Sequence, residues 1–177
     1  MSEDTTLVRM QRALAPFDVY VKNAHAQVED DFDAKTLTSA LGFQIRHDVL
    51  GGTLVPDLVE PEEAALRTNA LRYIVNTGVR FLDERTKPES EDPVVRAEIA
   101  AVWVVEYQIL RPDDVDEAGI SAFGENNVMY HVWPYWREFI HVTCARLRLP
   151  QVVLPMFKIT RRAPQTKANS AVATGSR

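Results

Sequence analysis

The 177-residue sequence contains one cysteine and no long apolar run. Cys144 has no partner for an internal disulfide, which indicates a reducing compartment. No stretch approaches the roughly 20 apolar residues that a transmembrane helix needs. Residues 1–10 also lack the basic opening and apolar run of a signal peptide. These absences predict a soluble, cytoplasmic protein without membrane insertion.

Recognisable catalytic motifs are also missing. There is no glycine-rich phosphate loop and no Gly-x-Ser-x-Gly, and the four histidines show no metal-ligand spacing. His141 and Cys144 are one helical turn apart, but Cys144 falls on an apolar stripe, so we interpret it as a core residue. Asp30, Asp31 and Asp33 lack the glycine and glutamate of a calcium loop, which favours a solvated turn. We therefore expect no enzymatic activity, no cofactor and no metal site.

Acidic residues are absent after Phe157. The basic residues beyond that point are Lys158, Arg161, Arg162, Lys167 and Arg177. Because the whole sequence has 20 basic and 25 acidic residues, the part through Phe157 has 15 against 25, a balance of -10. An acidic body argues against nucleic acid as a partner, since phosphate contacts require clustered cations. The segment 158–177 has few large apolar residues and is predicted to be a disordered basic tail.

Alternation of apolar and polar residues with a period of two predicts four strands. Their predicted bounds are 17–28, 37–50, 70–82 and 94–110. The fourth is apolar on both faces over residues 102–105, which indicates a central strand or one that enters an interface. Gly51, Gly52 and Pro56 predict that the chain breaks after the second strand.

The connection over residues 51–69 is long enough to indicate a functional or mobile loop. It contains Leu54, Val55 and Leu58. The alternative is a short helix at 62–66 that packs these apolar groups locally.

A long helix is predicted after the fourth strand. Acidic residues from Asp113 to Glu117 suit a helix N-terminus, and apolar spacing of three and four residues continues to Leu147. Pro134 predicts a kink, because it removes a backbone donor inside the helix. The apolar stripe consists of Met129, Val132, Trp133, Trp136, Phe139, Ile140, Thr143, Cys144 and Leu147. Four strands followed by one helix predict an α+β fold with the helix covering one face of the sheet.

Three segments of the sequence resemble the SecB family of protein-export chaperones. Residues 133–138 (Trp-Pro-Tyr-Trp-Arg-Glu) are similar to the family's apolar-Pro-aromatic-x-Arg-Glu helix motif. Residues 149–157 are similar to its Pro-x-apolar-x-apolar segment, and residues 20–23 to its Tyr-x-Lys-Asp. The resemblance covers residues 17–157 except the loop at 51–69, and it predicts a SecB-like domain between a flexible N-terminus at 1–16 and the tail at 158–177.

The resemblance implies a four-stranded antiparallel sheet with a long C-terminal helix packed on it, assembled as a dimer of dimers. It also implies an ATP-independent holdase that keeps unfolded client proteins in apolar grooves during protein export. The candidate client-binding residues are Phe32, Leu54, Val55, Leu58, Met156 and Phe157. Trp103 and Tyr135 are candidates for the oligomer interface.

In the SecB family, acidic positions on the sheet dock the translocase motor SecA. The corresponding positions here are the neutral Asn23 and Gln27, while Glu98 retains an acid and Arg96 replaces an apolar residue. These changes predict weakened attraction to SecA. Two alternatives to an export role therefore remain open: a SecB-like chaperone for a dedicated client such as an antitoxin, and a non-chaperone adaptor that binds one folded partner.

Overall fold

The computed structural model describes residues 3–34, 36, 41–55, 70–83 and 94–157. Its helices and strands, in chain order, are α1 (Glu3–Ala13), β1 (Leu14–Val28), β2 (Leu41–Val55), β3 (Ala70–Asp83), β4 (Val95–Ile109), α2 (Glu117–Phe123) and α3 (Met129–Leu147). A 3₁₀ turn at Pro112–Asp114 precedes α2, and a π-helical turn at Gly124–Val128 joins α2 to α3. The predicted α+β fold is confirmed. Leu58, the alternative helix at 62–66 and the basic tail lie outside the described residues.

The four strands form one antiparallel sheet with the order β1-β4-β3-β2. β4 is central, which explains why Val104 and Val105 are both buried although they point to opposite faces. Trp103 points to the helical side and is 3% exposed. Its indole nitrogen donates to the Thr77 hydroxyl at 2.9 Å, and its ring packs edge-on against Phe139. The candidate interface residue Trp103 is thus in the core of a single chain.

The helical layer follows the predicted apolar stripe. Six of its residues are buried in α3, namely Met129, Val132, Trp133, Trp136, Ile140 and Cys144. α3 continues on both sides of Pro134. A π-helical turn precedes α3, and a side chain at Gly124 in that turn would meet the ring of Tyr73 at 3.0 Å.

Two parts of the fold differ from the sequence-based expectation. The N-terminus forms α1, and Met10 and Ala13 are fully buried. Its Arg9 forms an ion pair with Asp116, the N-cap of α2. Residues 3–13 of the segment expected to be flexible are therefore helical, and residues 14–16 begin β1. The tertiary contact of α1 with α2 stabilises the helix.

The second difference is at Gly51 and Gly52, which do not end the second strand. β2 continues to Val55 through a register shift between Leu50 and Thr53. One extra residue on one strand of an antiparallel pair is a β-bulge, and glycine accommodates it. Leu54 and Val55 consequently belong to a strand and not to a loop.

Candidate binding surface

The helical side of β2 carries apolar side chains that the helices leave partly exposed. α3 packs over β1, β3 and β4, while α2 and the π-helical turn contact β2. Cross-strand partners share a face, so the side chains of β2 opposite Phe81, Val79, Thr77, Val75 and Leu71 point to the helical side. Those side chains, here called the β2 strip, are Phe43, Ile45, His47, Val49 and Leu54. Phe43 and Leu54 are each 50% exposed.

An aromatic cluster borders the middle of the β2 strip. The ring of His47 lies 5.9 Å from that of Trp133 and 6.3 Å from that of Phe157. The indole nitrogen of Trp133 donates to the carbonyl oxygen of Pro155 at 2.9 Å, and its ring is 5.0 Å from the Phe157 ring. These contacts hold the segment after α3 beside β2. Met156 in that segment is 75% exposed, so it adds a flexible apolar side chain to the border.

The candidate client-binding residues that the structure describes lie in three separate segments. Phe157 is half-buried at the aromatic cluster, next to Met156. Leu54 and Val55 are at the end of β2 that pairs with Leu71 and Ala70. Phe32 is partly buried against the core in the turn after β1. Among the described candidates, Leu54 and Val55 lie on β2, whereas Phe32 follows β1 and Met156 and Phe157 follow α3.

Phe43 and His47 belong to the surface but were not among the sequence-based candidates. Phe43 alternates with polar neighbours in β2 and points to the same side as the buried Phe81 of β3. It remains half exposed because β2 is an edge strand. The order of strands in the sheet depends on long-range pairing, which a local pattern does not report.

The candidate SecA-docking positions lie on or beside the sheet face that points away from the helices. Asn23 is opposite Val102, and Gln27 is opposite Glu98. The Glu98 carboxylate is 3.2 Å from Arg80 Nε, so its charge is already paired within the chain. Arg96 pairs with Asp31 and Asp83 at the end of the sheet. Tyr135, a candidate interface residue, is half exposed on α3.

Burial shifts the pKa values of three titratable groups on the helical side of the sheet. Burial raises the pKa of the Cys144 thiol, as expected for a core cysteine. Burial also raises the pKa of Tyr107, whose hydroxyl is 2.8 Å from His131 Nδ1, and lowers the pKa of His131. A raised thiol pKa opposes thiolate formation, so this environment favours packing over nucleophilic chemistry. Across the described ranges, no three His, Cys, Asp or Glu side chains are grouped as metal ligands would be.

No family model matches the sequence, and no curated protein matches it. The structure is similar to that of the SecB-like chaperone Rv1957 of Mycobacterium tuberculosis, in complex with a ChAD peptide from the Rv1956 HigA1 antitoxin. The TM-score is 0.65 at 15% sequence identity, and the match covers 89% of this chain and 99% of that chain. The protein therefore has the SecB-like fold, and the resemblance to SecB is confirmed at the level of the fold. None of the helices in the described ranges has the length and apolarity to cross a membrane.

Proposed function

We propose that the protein is an ATP-independent holdase chaperone that binds unfolded polypeptides along the β2 strip. The observation that supports this proposal is the long, partly uncovered apolar line on an edge strand. Phe43 and Leu54 are eleven positions apart, which corresponds to roughly 35 Å in an extended strand. A line of that length accommodates an extended client segment of about ten residues.

The chemistry of the strip suits unfolded chains more than one folded partner. An extended segment can hydrogen-bond to an open strand edge, while alternate side chains contact apolar groups with little sequence preference. Phe43, Leu54 and Met156 are exposed apolar groups of this kind. Rv1957, which has the same fold, is in complex with an antitoxin peptide.

The proposal includes a cytoplasmic homo-oligomer, built as a dimer of dimers. β1 is the other edge strand, and it carries the exposed apolar residues Phe17 and Val21. Tyr135 adds an exposed ring on α3. Open strand edges with exposed apolar groups favour association. Sedimentation as a monomer at micromolar concentration would contradict this part of the proposal.

Between the two chaperone roles, we favour a dedicated client over SecA-dependent export. The acid that remains at a docking position, Glu98, is paired with Arg80, and Asn23 and Gln27 are neutral. Restoring an acid at Gln27 would place two carboxylates opposite each other, because Gln27 faces Glu98. Micromolar or tighter binding to SecA in a calorimetric titration would favour the export role over the dedicated client.

Aggregation of a denaturant-unfolded client, followed by light scattering without ATP, tests the holdase proposal. We expect near-stoichiometric suppression by the unmodified protein and weaker suppression by Phe43→Ser and Leu54→Ser. Leu50→Ser is the matched control, because Leu50 is 43% exposed on the same strand and faces the opposite side. The absence of suppression at any ratio would favour the adaptor alternative. Equal weakening by Leu50→Ser would show that the β2 strip is not the client surface.

A further inference from the structure

Arg96 joins the turn after β1 to the end of the sheet where the β2 strip begins. Its Nη1 is 3.4 Å from the Asp31 carboxylate in that turn, and its Nη2 is 3.5 Å from the Asp83 carboxylate. Asp83 is 4% exposed and is the register partner of Leu41, the first residue of β2. Phe43 follows two residues later. One guanidinium therefore connects the turn to the Phe43 end of the strip.

The turn is also tied to β4 by its backbone. The Glu29 amide donates to the carbonyl oxygen of Arg96 at 3.0 Å, and the Phe32 amide donates to that of Glu29 at 3.0 Å. These bonds bring Phe32 against the core, where it is partly buried. Phe32 therefore belongs to a turn that Arg96 ties, through Asp83, to the Leu41 end of β2.

We infer that Arg96 is a positioning residue that holds the turn of residues 29–33, with Phe32, as a preformed wall of the client-binding surface. This inference rests on the proposed function. A wall that is already ordered before binding does not have to be ordered by the client, so affinity is higher. The guanidinium of Arg96 is suited to this role because it is engaged with two carboxylates of its own chain.

Asp31→Asn is the most selective change, because it removes the contact with the turn and leaves the contact between Arg96 and Asp83 in place. Asp31 is 77% exposed, so its ion pair is screened and weak. Asp30→Asn is the matched control: it removes one negative charge from the adjacent position of the same turn. Asp31→Glu keeps the charge and should restore the behaviour of the unmodified protein.

The first readout is amide hydrogen exchange, which requires no client. In Asp31→Asn we expect the Glu29 and Phe32 amides to exchange about two- to fivefold faster, with exchange in β3 and β4 unchanged. Raising the salt to 1 M should produce the same acceleration in the unmodified protein. If Asp31→Asn and Asp30→Asn exchange alike, the ion pair does not hold the turn and the inference is wrong.

The second readout is the affinity for a fluorescein-labelled decapeptide with leucine at alternate positions. We expect Asp31→Asn to bind it about two- to fivefold more weakly at low salt, with no difference from the unmodified protein at 1 M salt. Faster exchange with unchanged affinity would mean that the turn is not part of the client surface. If even the unmodified protein does not bind the peptide, the proposed function is wrong, and so is the role of the turn in client binding. The exchange measurement would still decide whether Arg96 holds the turn.

Discussion

Replacing Gly52 by alanine is expected to destabilise the protein, because the new methyl group has no room. A Cβ at Gly52 would lie 2.6 Å from Ile120 Cγ2 and 2.7 Å from Tyr73 Cε1. Neither neighbour can move freely: Tyr73 is fully buried, and its hydroxyl donates to the carbonyl oxygen of Ile120 at 2.7 Å. Inserting a methyl group into a well-packed site of this kind costs about 1–3 kcal/mol.

The neighbouring glycine supplies the control. A Cβ at Gly51 would meet no atom within 4 Å, and Gly51 does not have a positive φ. Gly51→Ala should leave the stability unchanged or raise it by about 0.4–1 kcal/mol, because alanine restricts the unfolded chain.

Thermal unfolding followed by circular dichroism distinguishes the two variants. For a protein of this size, about 1 kcal/mol corresponds to a change of roughly 2–4 °C in Tm. Gly52→Ala should therefore melt roughly 2–12 °C below the unmodified protein, and Gly51→Ala at or slightly above it. Equal Tm values for the two variants would refute the packing of the β2 bulge against α2 and Tyr73.

Two further predictions concern ionisable groups. Arg72→Met would leave the buried Glu106 carboxylate without its partner at 2.6 Å, and should lower the free energy of unfolding by about 1–3 kcal/mol. Arg80→Met breaks the more exposed pair with Glu98 and should cost about 1 kcal/mol or less, so similar urea midpoints would contradict this contrast. Burial lowers the pKa of His131 below its usual 6.5, so the folded state binds fewer protons than the unfolded state. The contribution of neutral His131 to stability is complete above pH 6.5 and is lost as the pH falls through the folded-state pKa. Urea unfolding at pH 7.5 and 5.5 should therefore show a smaller loss of stability in His131→Gln than in the unmodified protein. An equal loss in both proteins would exclude His131 as the cause.

The strands and the apolar stripe of α3 could be predicted because their signals are local. β3 pairs residue by residue with two strands, and its alternating side chains Leu71, Tyr73, Val75 and Phe81 are buried as the pattern indicated. In α3, spacing of three and four residues selected the side chains that now face the sheet. In both elements, burial repeats with the geometric period of the backbone.

The N-terminal helix could not be predicted in the same way, because few of its residues are buried. Met10 and Ala13 are fully enclosed, and Leu7 is partly buried. Two fully buried side chains are too few to produce a clear helical period. The partner that stabilises α1 is α2, about 100 residues later in the chain, where Asp116 pairs with Arg9. A contact at that sequence separation has no signature in the segment itself.

The β2 strip follows from the dimensions of the two layers. Four strands spaced about 4.8 Å apart place the outer strand axes roughly 14 Å from each other. A helix with its side chains is about 10 Å wide, so one long helix cannot cover all four strands. α3 covers β1, β4 and β3, and the short α2 and π-helical turn reach β2 near Gly52. Phe43, toward the other end of β2, therefore stays half exposed although it belongs to the same apolar face as the core.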